Sequence, residues 1–381
     1  MKVFIIAGEA SGDQLGAAIL KSLFRQDGNL NIRGIGGDAM KMAGLRESLF
    51  PMEELSLMGI FEVVPQIPHM LKRIRQTVEA IKVFNPDVVL TIDSPDFSFR
   101  VQKALSKTGC RAKRVHMVAP TVWAWRSGRA KKVAEFLDGM ICLYPFEPAY
   151  FEREGLKSVF VGHTMINSGL LSGNAPEFRF RHMIGLERKT VGLFFGSRRS
   201  EIENNAEVIL KAAAHLKRDD ADIYFIVPTL PKWKELLESK IREQGLNALV
   251  LIGREEKWDA VTACDVAIAV SGTVALEISV VGVPHVITYR VNNLTWQIAH
   301  RLIKTPYVHL ANILLNEDVV PEFIQHEATA DNIYRSVSNL LNDSNARYRQ
   351  TENFGKVRDL LQNDENINPA DKAAGFIINS L

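Results

Sequence analysis

Several features that mark particular protein classes are missing from this 381-residue chain. It has only three cysteines (Cys110, Cys142 and Cys264), which lie far apart without a CxxC pair, so they are interpreted as reduced, buried thiols of a cytosolic protein. No run approaches about 18 apolar residues, so no membrane-spanning helix is expected. The net charge of +2 does not favour nucleic acid as the main partner. A signal peptide is not expected either, since the first residues already have the pattern of a strand.

The composition that remains is that of an ordinary globular protein. Hydrophobic residues make up 46% of the chain and charged residues 24%, and the length suggests two domains that each bury a core. No internal repeat or low-complexity tract interrupts it.

The first residues predict the opening unit of a doubly wound α/β domain. Residues 3–7 are a continuous apolar run, a turn of small and polar residues follows, and residues 15–24 have helical apolar spacing. The turn is not GxGxxG, so a dinucleotide is not indicated. Because such folds place ligands at the carboxyl ends of strands, Glu9, Ser11 and Asp13 are candidates to hold hydroxyl groups.

Strand-then-helix units continue along the chain and predict two α/β domains with a cleft between them. A linker is expected at residues 171–177, and residues 329–381 are expected to be mostly helical. The other predicted strands are residues 87–92, 114–118, 138–143, 158–161, 190–195, 222–227, 248–252, 265–269 and 284–289.

Two strand ends in the second half suit a phosphorylated ligand. Residues 196–201 (GSRRSE) start a helix and carry a hydroxyl and a guanidinium; the alternative is a simple cap by Ser200. Residues 271–277 (SGTVALE) combine a second helix start with Glu277, one turn further on and able to accept both hydroxyls of a ribose. The alternative there is a capped helix with an exposed carboxylate.

The first half contains further candidates at strand ends. Asp93 and Asp96 can act as a general base, accept ligand hydroxyls or bind Mg²⁺, or they can serve only the turn, with Asp96 as an N-cap. Trp123, Trp125 and Arg126 follow another strand and either line a pocket or pack the domain wall. His163 ends a third strand, where a structural role is the alternative.

Residues 60–81 form an apolar stripe with basic flanks, which suits a membrane surface or an acyl chain and equally a core-facing helix. Pro65 and Pro68 are expected to prevent one continuous helix, although residues 69–83 can form one.

Nine motifs, in order and with sensible spacing, make the chain resemble the lipid-A-disaccharide synthase family. They are GEASGD (8–13), MGIFEV (58–63), IDSPDF (92–97), PTVWAWR (120–126), PFE (145–147), VGHT (161–164), GSRRSEI (196–202), SGTVALE (271–277) and ANIL (311–314). GEASGD and PTVWAWR are specific to it.

The resemblance implies a GT-B glycosyltransferase, with two Rossmann-like domains facing a cleft and a helical C-terminal tail. The family transfers 2,3-diacylglucosamine from its UDP donor to 2,3-diacylglucosamine 1-phosphate (lipid X), with inversion and without a metal or other cofactor. It acts as a peripheral protein on the cytoplasmic face of the inner membrane of Gram-negative bacteria. The implied domains are residues 1–170 for acceptor and lipid, 171–344 for the UDP donor, and 345–381, which pack back on the first domain or exchange between subunits of a homodimer.

The resemblance also implies roles for individual residues. Asp93 would be the catalytic base, with Glu9 and Ser11 positioning sugar hydroxyls. The donor residues would be Ser197, Arg198, Arg199, Ser271, Gly272, Thr273, Glu277 and Asn312. The acceptor, lipid or membrane contacts would be Phe61, Val63, Val64, Ile67, Met70, Leu71, Trp123, Trp125, Arg126 and His163.

The chain departs from the family pattern at one position, where Phe195 replaces the usual proline before the phosphate turn. Another GT-B enzyme acting on UDP-sugars, such as a 2-epimerase or a peptidoglycan-type N-acetylglucosaminyltransferase, is the runner-up, but neither accounts for GEASGD or PTVWAWR. A lipid- or nucleotide-binding protein without turnover is the alternative from a different class.

Overall fold

A computed structural model describes most of the chain. The described residues are 1–55, 63–123, 128–253, 255–292, 296–297, 300–301, 303, 305–363 and 367–380, without the side chains of 63–67. Residues Met1–Thr164 and Leu361–Leu381 form one compact unit (unit 1), and Met165–Leu360 form the other (unit 2).

Unit 1 is built on a parallel sheet of six strands in the order β2-β1-β3-β4-β5-β6. Its strands are β1 Lys2–Ala7, β2 Asn31–Ile35, β3 Val88–Ile92, β4 Lys113–Met117, β5 Gly139–Cys142 and β6 Ser158–Phe160. Its helices are α1 Ala10–Gln26, α2 Asp38–Met42, α3 Val63–Phe84, α4 Pro95–Leu105, α5 Gly128–Ala134, α6 Pro148–Glu152 and, from the far end of the chain, Pro369–Ile378.

Unit 2 has its own parallel sheet of six strands, in the order β12-β11-β10-β7-β8-β9. The strands are β7 Thr190–Phe194, β8 Tyr224–Thr229, β9 Ala248–Ile252, β10 Val266–Val270, β11 His285–Tyr289 and β12 Glu322–Ile324. The described helices are α7 Ala175–Arg181, α8 Arg199–Asp219, α9 Lys234–Glu243, α10 Lys257–Thr262, α11 Thr273–Val281, α12 Leu310–Leu315, α13 Ala330–Asn342 and α14 Ser344–Leu361; Pro369–Ile378 in unit 1 is α15.

The central strands are apolar because helices cover both faces of each sheet. All five residues of β3, β7 and β10 are buried, which is the pattern of parallel strands in doubly wound folds. The predicted α/β class with two Rossmann-like sheets is therefore confirmed.

The segment that returns to unit 1 completes its core. Ala370, Ala373, Ala374 and Ile377 of α15 belong to the same apolar cluster as β1 and β3. Asn363 donates from Nδ2 to the Val161 carbonyl at 2.8 Å. The unit boundaries thus fall at 164/165 and 360/361, whereas 170/171 and 344/345 were predicted.

Two local predictions are wrong. The expected linker at 171–177 is already structured, since a 3₁₀ turn covers Leu170–Ser172 and α7 begins at Ala175. The prolines do not interrupt α3, which runs from Val63 to Phe84 with Pro68 inside. Because the helix starts at Val63, Pro65 lies in its first turn, where an N–H has no helical partner anyway, and only Pro68 removes a helical hydrogen bond.

Asp13 has a structural role instead of the predicted contact with hydroxyl groups. Its buried carboxylate accepts the N–H groups of Gly37, Ala39 and Met40 at 2.7, 2.9 and 3.1 Å. These bonds hold the start of α2 against α1, so no part of this interaction depends on a ligand.

Asp13→Ala is therefore expected to lower the free energy of unfolding by about 2–4 kcal/mol, because three buried N–H groups lose their acceptor. Urea unfolding followed by circular dichroism measures this change. Asp38→Ala is the matched control, since that carboxylate lies on α2 itself and its side chain is 89% exposed. Equal stability of the two variants would contradict the assigned role of Asp13.

Candidate functional site

The ligand position in unit 1 is predicted by the order of its strands. β1 pairs with both β2 and β3. The chain adds β2 on one side of β1 and β3 to β6 on the other side, so the order of strands reverses between β1 and β3. Doubly wound folds bind ligands at the carboxyl ends of the strands at such a switch point. Glu9 and Ser11 follow β1 and are exposed at the start of α1, while Asp93 follows β3. The three residues predicted as catalytic therefore flank the switch point of unit 1.

The backbone at this edge is strained. Asp93 and Ser94 both have left-handed conformations, with φ of +53° and +46°, and Val118 after β4 has φ of +75°. A β-branched residue rarely adopts positive φ, and such residues cost about 1–3 kcal/mol each and concentrate at functional sites. Three of them on neighbouring strand ends point independently to the place that the topology indicates.

Asp93 is held in a defined position. It is half-buried, its Oδ1 accepts the N–H of Ser94 at 2.8 Å, and its carbonyl accepts the Ser98 hydroxyl at 2.8 Å. The loop after β1 packs tightly on it, since a Cβ at Gly8 would lie 2.3 Å from Ser94 Oγ. Glycine is required at position 8 for this close approach, which the sequence pattern did not reveal.

An aromatic cluster lies at the ends of β4, β5 and β6. Trp123 is 9% exposed and meets Phe146 edge-to-face at 5.4 Å between ring centroids, and Phe146 stacks on Tyr144 at 5.8 Å. His163 lies 5.3 Å from Tyr144, and burial lowers its pKa to about 4, so it is neutral. Trp123 and His163 are thus packed in the protein interior, as the alternative interpretation of each residue expected. Their contact with the acceptor stays a prediction.

Glu147, of the PFE motif, was missed as an ionisable group of this cluster. It is 2% exposed, and its Oε2 accepts the N–H groups of Leu143 and Tyr144 at 3.1 Å each. Burial raises the pKa of Glu147 to about 7, although these two N–H groups act in the opposite direction. Because the pKa in the fold lies above its value in the unfolded chain, the stabilisation is fully present below about pH 4.5 and is lost as the pH rises through 7.

Glu147→Gln is expected to remove this pH dependence, because the amide still accepts N–H groups and carries no charge to bury. The variant should gain about 1–3 kcal/mol relative to the parent between pH 5.5 and pH 8.5. Urea unfolding at the two pH values measures the gain. Glu152→Gln, an exposed neighbour on α6, should leave the pH dependence as it is. A parallel pH dependence in the Glu147 variant and the parent would show that the fold does not raise the pKa of this carboxyl.

The predicted membrane and acceptor contacts are only partly described. Phe61, Trp125 and Arg126 lie outside the described residues, and Val63, Val64 and Ile67 are described only as part of the backbone of α3. Further along α3, Met70 is half-buried and Leu71 is 41% exposed. Their assignments stay predictions.

Unit 2 repeats the switch-point arrangement. β7 pairs with β8 and β10, and the loops after β7 and β10 carry Ser197 and Ser271. Residues 196–198, which are predicted to bind phosphate and are called the phosphate loop, precede α8, which begins at Arg199. Ser197, Arg198 and Arg199 are exposed there, and Arg199 pairs with Glu203 on the helix surface at 2.5 Å.

The helix cap differs from the predicted alternative. Arg198, not Ser200, is the N-cap of α8, and Glu201 completes a capping box. The phosphate loop is also held from the 3₁₀ turn after β8, since Trp233 donates from Nε1 to the Ser197 carbonyl at 2.9 Å. Phe195, which replaces the family's proline, is 2% exposed and belongs to the unit 2 core. The side chain at this position therefore packs into the core and does not face the loop that follows.

The start of α11, the second predicted phosphate-binding helix start, is exposed. Gly272 is the N-cap of α11 with φ of +156°, and both Gly272 and Thr273 are exposed. Ser271 donates to the Val308 carbonyl at 3.3 Å. Glu277 forms an ion pair with Lys257 through Oε2 at 2.6 Å, and its contact with a ribose stays a prediction.

Asn312 does not contact a ligand directly, which corrects the prediction. It is fully buried, and its amide bonds the backbone of Val319 and Val320 and the carboxylate of Glu322, at 2.8–3.1 Å. All of its hydrogen-bonding positions are therefore occupied. Glu322 also accepts the Val308 N–H at 2.8 Å. Since Ser271 donates to the Val308 carbonyl, Asn312 supports the Ser271 contact indirectly, through Glu322 and Val308.

Comparisons with known proteins agree with this geometry. The lipid-A-disaccharide synthetase family model matches residues 3–375. The chain belongs to the lipid-A-disaccharide synthase family. A member of the family from Rhodospirillum centenum is 41% identical over 379 residues, which cover 99% of this chain and 94% of that protein. One from Gluconobacter oxydans is 40% identical and covers 100% of this chain and 90% of that protein.

Solved structures identify the fold as GT-B. A UDP-GlcNAc 2-epimerase from Neisseria meningitidis, bound to UDP-GlcNAc, superimposes with a TM-score of 0.63 at 13% identity and covers 100% of this chain and 99% of its own. MurG of Acinetobacter baumannii gives a TM-score of 0.57 at 15% identity and 99% coverage of both chains. As a lipid-A-disaccharide synthase family member, the chain is a glycosyltransferase of lipid A disaccharide synthesis, with a UDP-sugar donor and a lipid acceptor.

Within the described residues, no three His, Cys, Asp or Glu side chains are grouped closely enough to hold a metal ion. No helix in the described part of the chain is long and apolar enough to cross a membrane.

Proposed function

We propose that the chain transfers 2,3-diacylglucosamine from UDP-2,3-diacylglucosamine to lipid X and forms the β(1→6) lipid A disaccharide 1-phosphate and UDP. The main support is the position of Asp93, a half-buried carboxylate on strained backbone at the switch point of unit 1. The family membership supplies the substrate class.

In the proposed reaction, Asp93 accepts the proton of the acceptor 6-hydroxyl. The hydroxyl oxygen bonds to the anomeric carbon of the donor as the bond from that carbon to UDP breaks, so the configuration inverts. Glu9 and Ser11, at the other side of the switch point, hold sugar hydroxyls. The negative charge of the leaving UDP is stabilised by Arg198 and by the N–H groups at the start of α11.

A turnover assay tests this proposal. With UDP-2,3-diacylglucosamine and lipid X, we expect UDP and the disaccharide in equal amounts, only when both lipids are present and also with a chelator. Release of UDP without disaccharide would indicate a different acceptor. Binding of UDP without turnover would favour another UDP-sugar enzyme or a binding protein.

We also propose that the chain binds, as a peripheral protein, to the cytoplasmic face of the inner membrane. Both proposed substrates carry acyl chains, and residues 60–81 have the apolar pattern with basic flanks that suits a bilayer surface. The homodimer, with its C-terminal helices packed back on the first domain or exchanged between subunits, stays a prediction.

Vesicle sedimentation tests the membrane proposal. Phe61→Ser combined with Val64→Ser should reduce binding to vesicles of anionic and zwitterionic phospholipid. Val83→Ser is the control, since Val83 lies at the other end of α3 and is 79% exposed. Equal partitioning of the double variant and the parent would favour a core-facing role for residues 60–67.

A further inference from the structure

The phosphate loop already holds a carboxylate where a phosphate is expected. Glu201 Oε2 accepts the N–H of Ser197 at 2.9 Å and that of Arg198 at 3.1 Å. Its Oε1 accepts Nη1 of Arg198 at 3.2 Å. The Glu201 side chain is 10% exposed, whereas that of Arg198 is 79% exposed. The backbone donors of the loop thus face inward to Glu201, and the guanidinium faces outward.

The loop is built around this carboxylate. Gly196 has φ of +91°, and a Cβ at that position would lie 2.4 Å from Glu201 Oε2. Any other residue at position 196 would collide with the carboxylate and would strain the backbone. Asn205, one turn further along α8, donates to the Glu201 carbonyl at 2.8 Å and accepts the Arg290 N–H at 2.7 Å, which fixes this part of the helix to the end of β11.

We infer that Glu201 is a positioning residue of the donor site, which occupies the backbone N–H groups of the phosphate loop and orients the Arg198 guanidinium toward the diphosphate. Each N–H donates one proton, so the two bound to Glu201 are not available to the ligand. A guanidinium has five N–H donors, and the contact with Glu201 uses one of those on Nη1, so Arg198 keeps the remaining donors for two phosphate oxygens. At this loop the diphosphate is therefore bound by side-chain charge instead of by backbone.

This inference rests on the proposed contact between Arg198 and the diphosphate, and a double-mutant cycle separates the two. UDP affinity is measured by calorimetry for the parent, Arg198→Ala, Glu201→Gln and the double variant. The glutamine retains an acceptor for the N–H groups, and it lacks the charge that orients Arg198. We expect Glu201→Gln to weaken UDP binding about 5- to 10-fold in the parent and less than 2-fold in the Arg198→Ala background.

A titration with uridine, followed by NMR, distinguishes a positioning role of Glu201 from a merely structural one. Because uridine has no phosphate, its affinity should stay within about 2-fold in the Glu201→Gln variant. Glu207→Gln is the matched control, since Glu207 lies on the same helix and its carboxylate pairs with Lys211 away from the loop.

Three results would overturn the inference. Tighter UDP binding by Glu201→Gln would mean that the Glu201 charge repels the diphosphate and does not position Arg198 for it. Equal losses in both backgrounds, or equal losses for UDP and uridine, would reduce Glu201 to a helix cap. Unchanged UDP affinity in the Arg198→Ala variant alone would refute the proposed contact of Arg198, and the inference with it.

Discussion

Asp93→Asn is expected to lower turnover about 10²- to 10⁴-fold, the usual contribution of a general base. The amide cannot accept the proton of the acceptor hydroxyl, but it keeps the oxygen that accepts the Ser94 N–H. Asparagine also tolerates the left-handed conformation that position 93 requires, with its φ of +53°. The variant therefore tests the chemistry with little change in the loop, whereas alanine would remove both the base and the hydrogen bond.

Turnover with both lipid substrates, together with UDP affinity from calorimetry, measures this effect. UDP affinity should not change, because the residues proposed to bind the donor belong to unit 2. Asp96→Asn is the matched control, since this carboxylate lies three residues away, is exposed and should leave the rate within about 3-fold. Normal turnover of the Asp93 variant would remove Asp93 from the mechanism.

Arg198→Ala is expected to weaken UDP binding by about 1.5–3 kcal/mol, the value of a hydrogen bond to a charged group, which corresponds to roughly 10- to 150-fold in affinity. The guanidinium is exposed at the switch point of unit 2, beside a helix start, where a diphosphate binds in related folds. Arg198→Lys should recover only part of the loss, because an ammonium cannot bind two phosphate oxygens in the same fork geometry.

Calorimetric titration with UDP measures the change in affinity. Raising the salt concentration should reduce the difference in UDP affinity between the Arg198→Ala variant and the parent, because salt screens the charge. Lys211→Ala is the control, because it removes a cation from the same helix away from the phosphate loop. An undiminished UDP affinity of the Arg198 variant would end its assignment to the diphosphate.

Most of the fold was predictable because its strands are buried on both faces. Predicted strands such as residues 3–7 and 265–269, which are apolar except for Asp265, lie within one residue of the observed β1 and β10. β2 and β12 were missed, since β2 is Asn31–Ile35 with polar residues in its first half and β12 has three residues. The start of α1 was placed too late because small and polar residues in GEASGD have the composition of a turn, although α1 begins at Ala10.

The candidate site was predictable where motifs follow strands, and not where distant residues meet. Asp93, Ser197 and Ser271 follow predicted strands, so the topology brings each to the expected edge of its sheet. Asn312 is misassigned because a polar residue in a motif does not reveal whether its partners are protein or ligand. Glu201 and Glu147 were missed because their importance depends on burial and on which N–H groups face them.

The return of the chain to unit 1 has a consequence for protein synthesis. On the ribosome, all of unit 2 is made between β6 and α15, the helix that covers part of the unit 1 core. The apolar face of α1 that α15 packs against therefore stays uncovered while residues 165–360 are translated. Unit 2 is continuous in sequence and can fold as it emerges, whereas unit 1 completes its packing last, although its first strand is translated first.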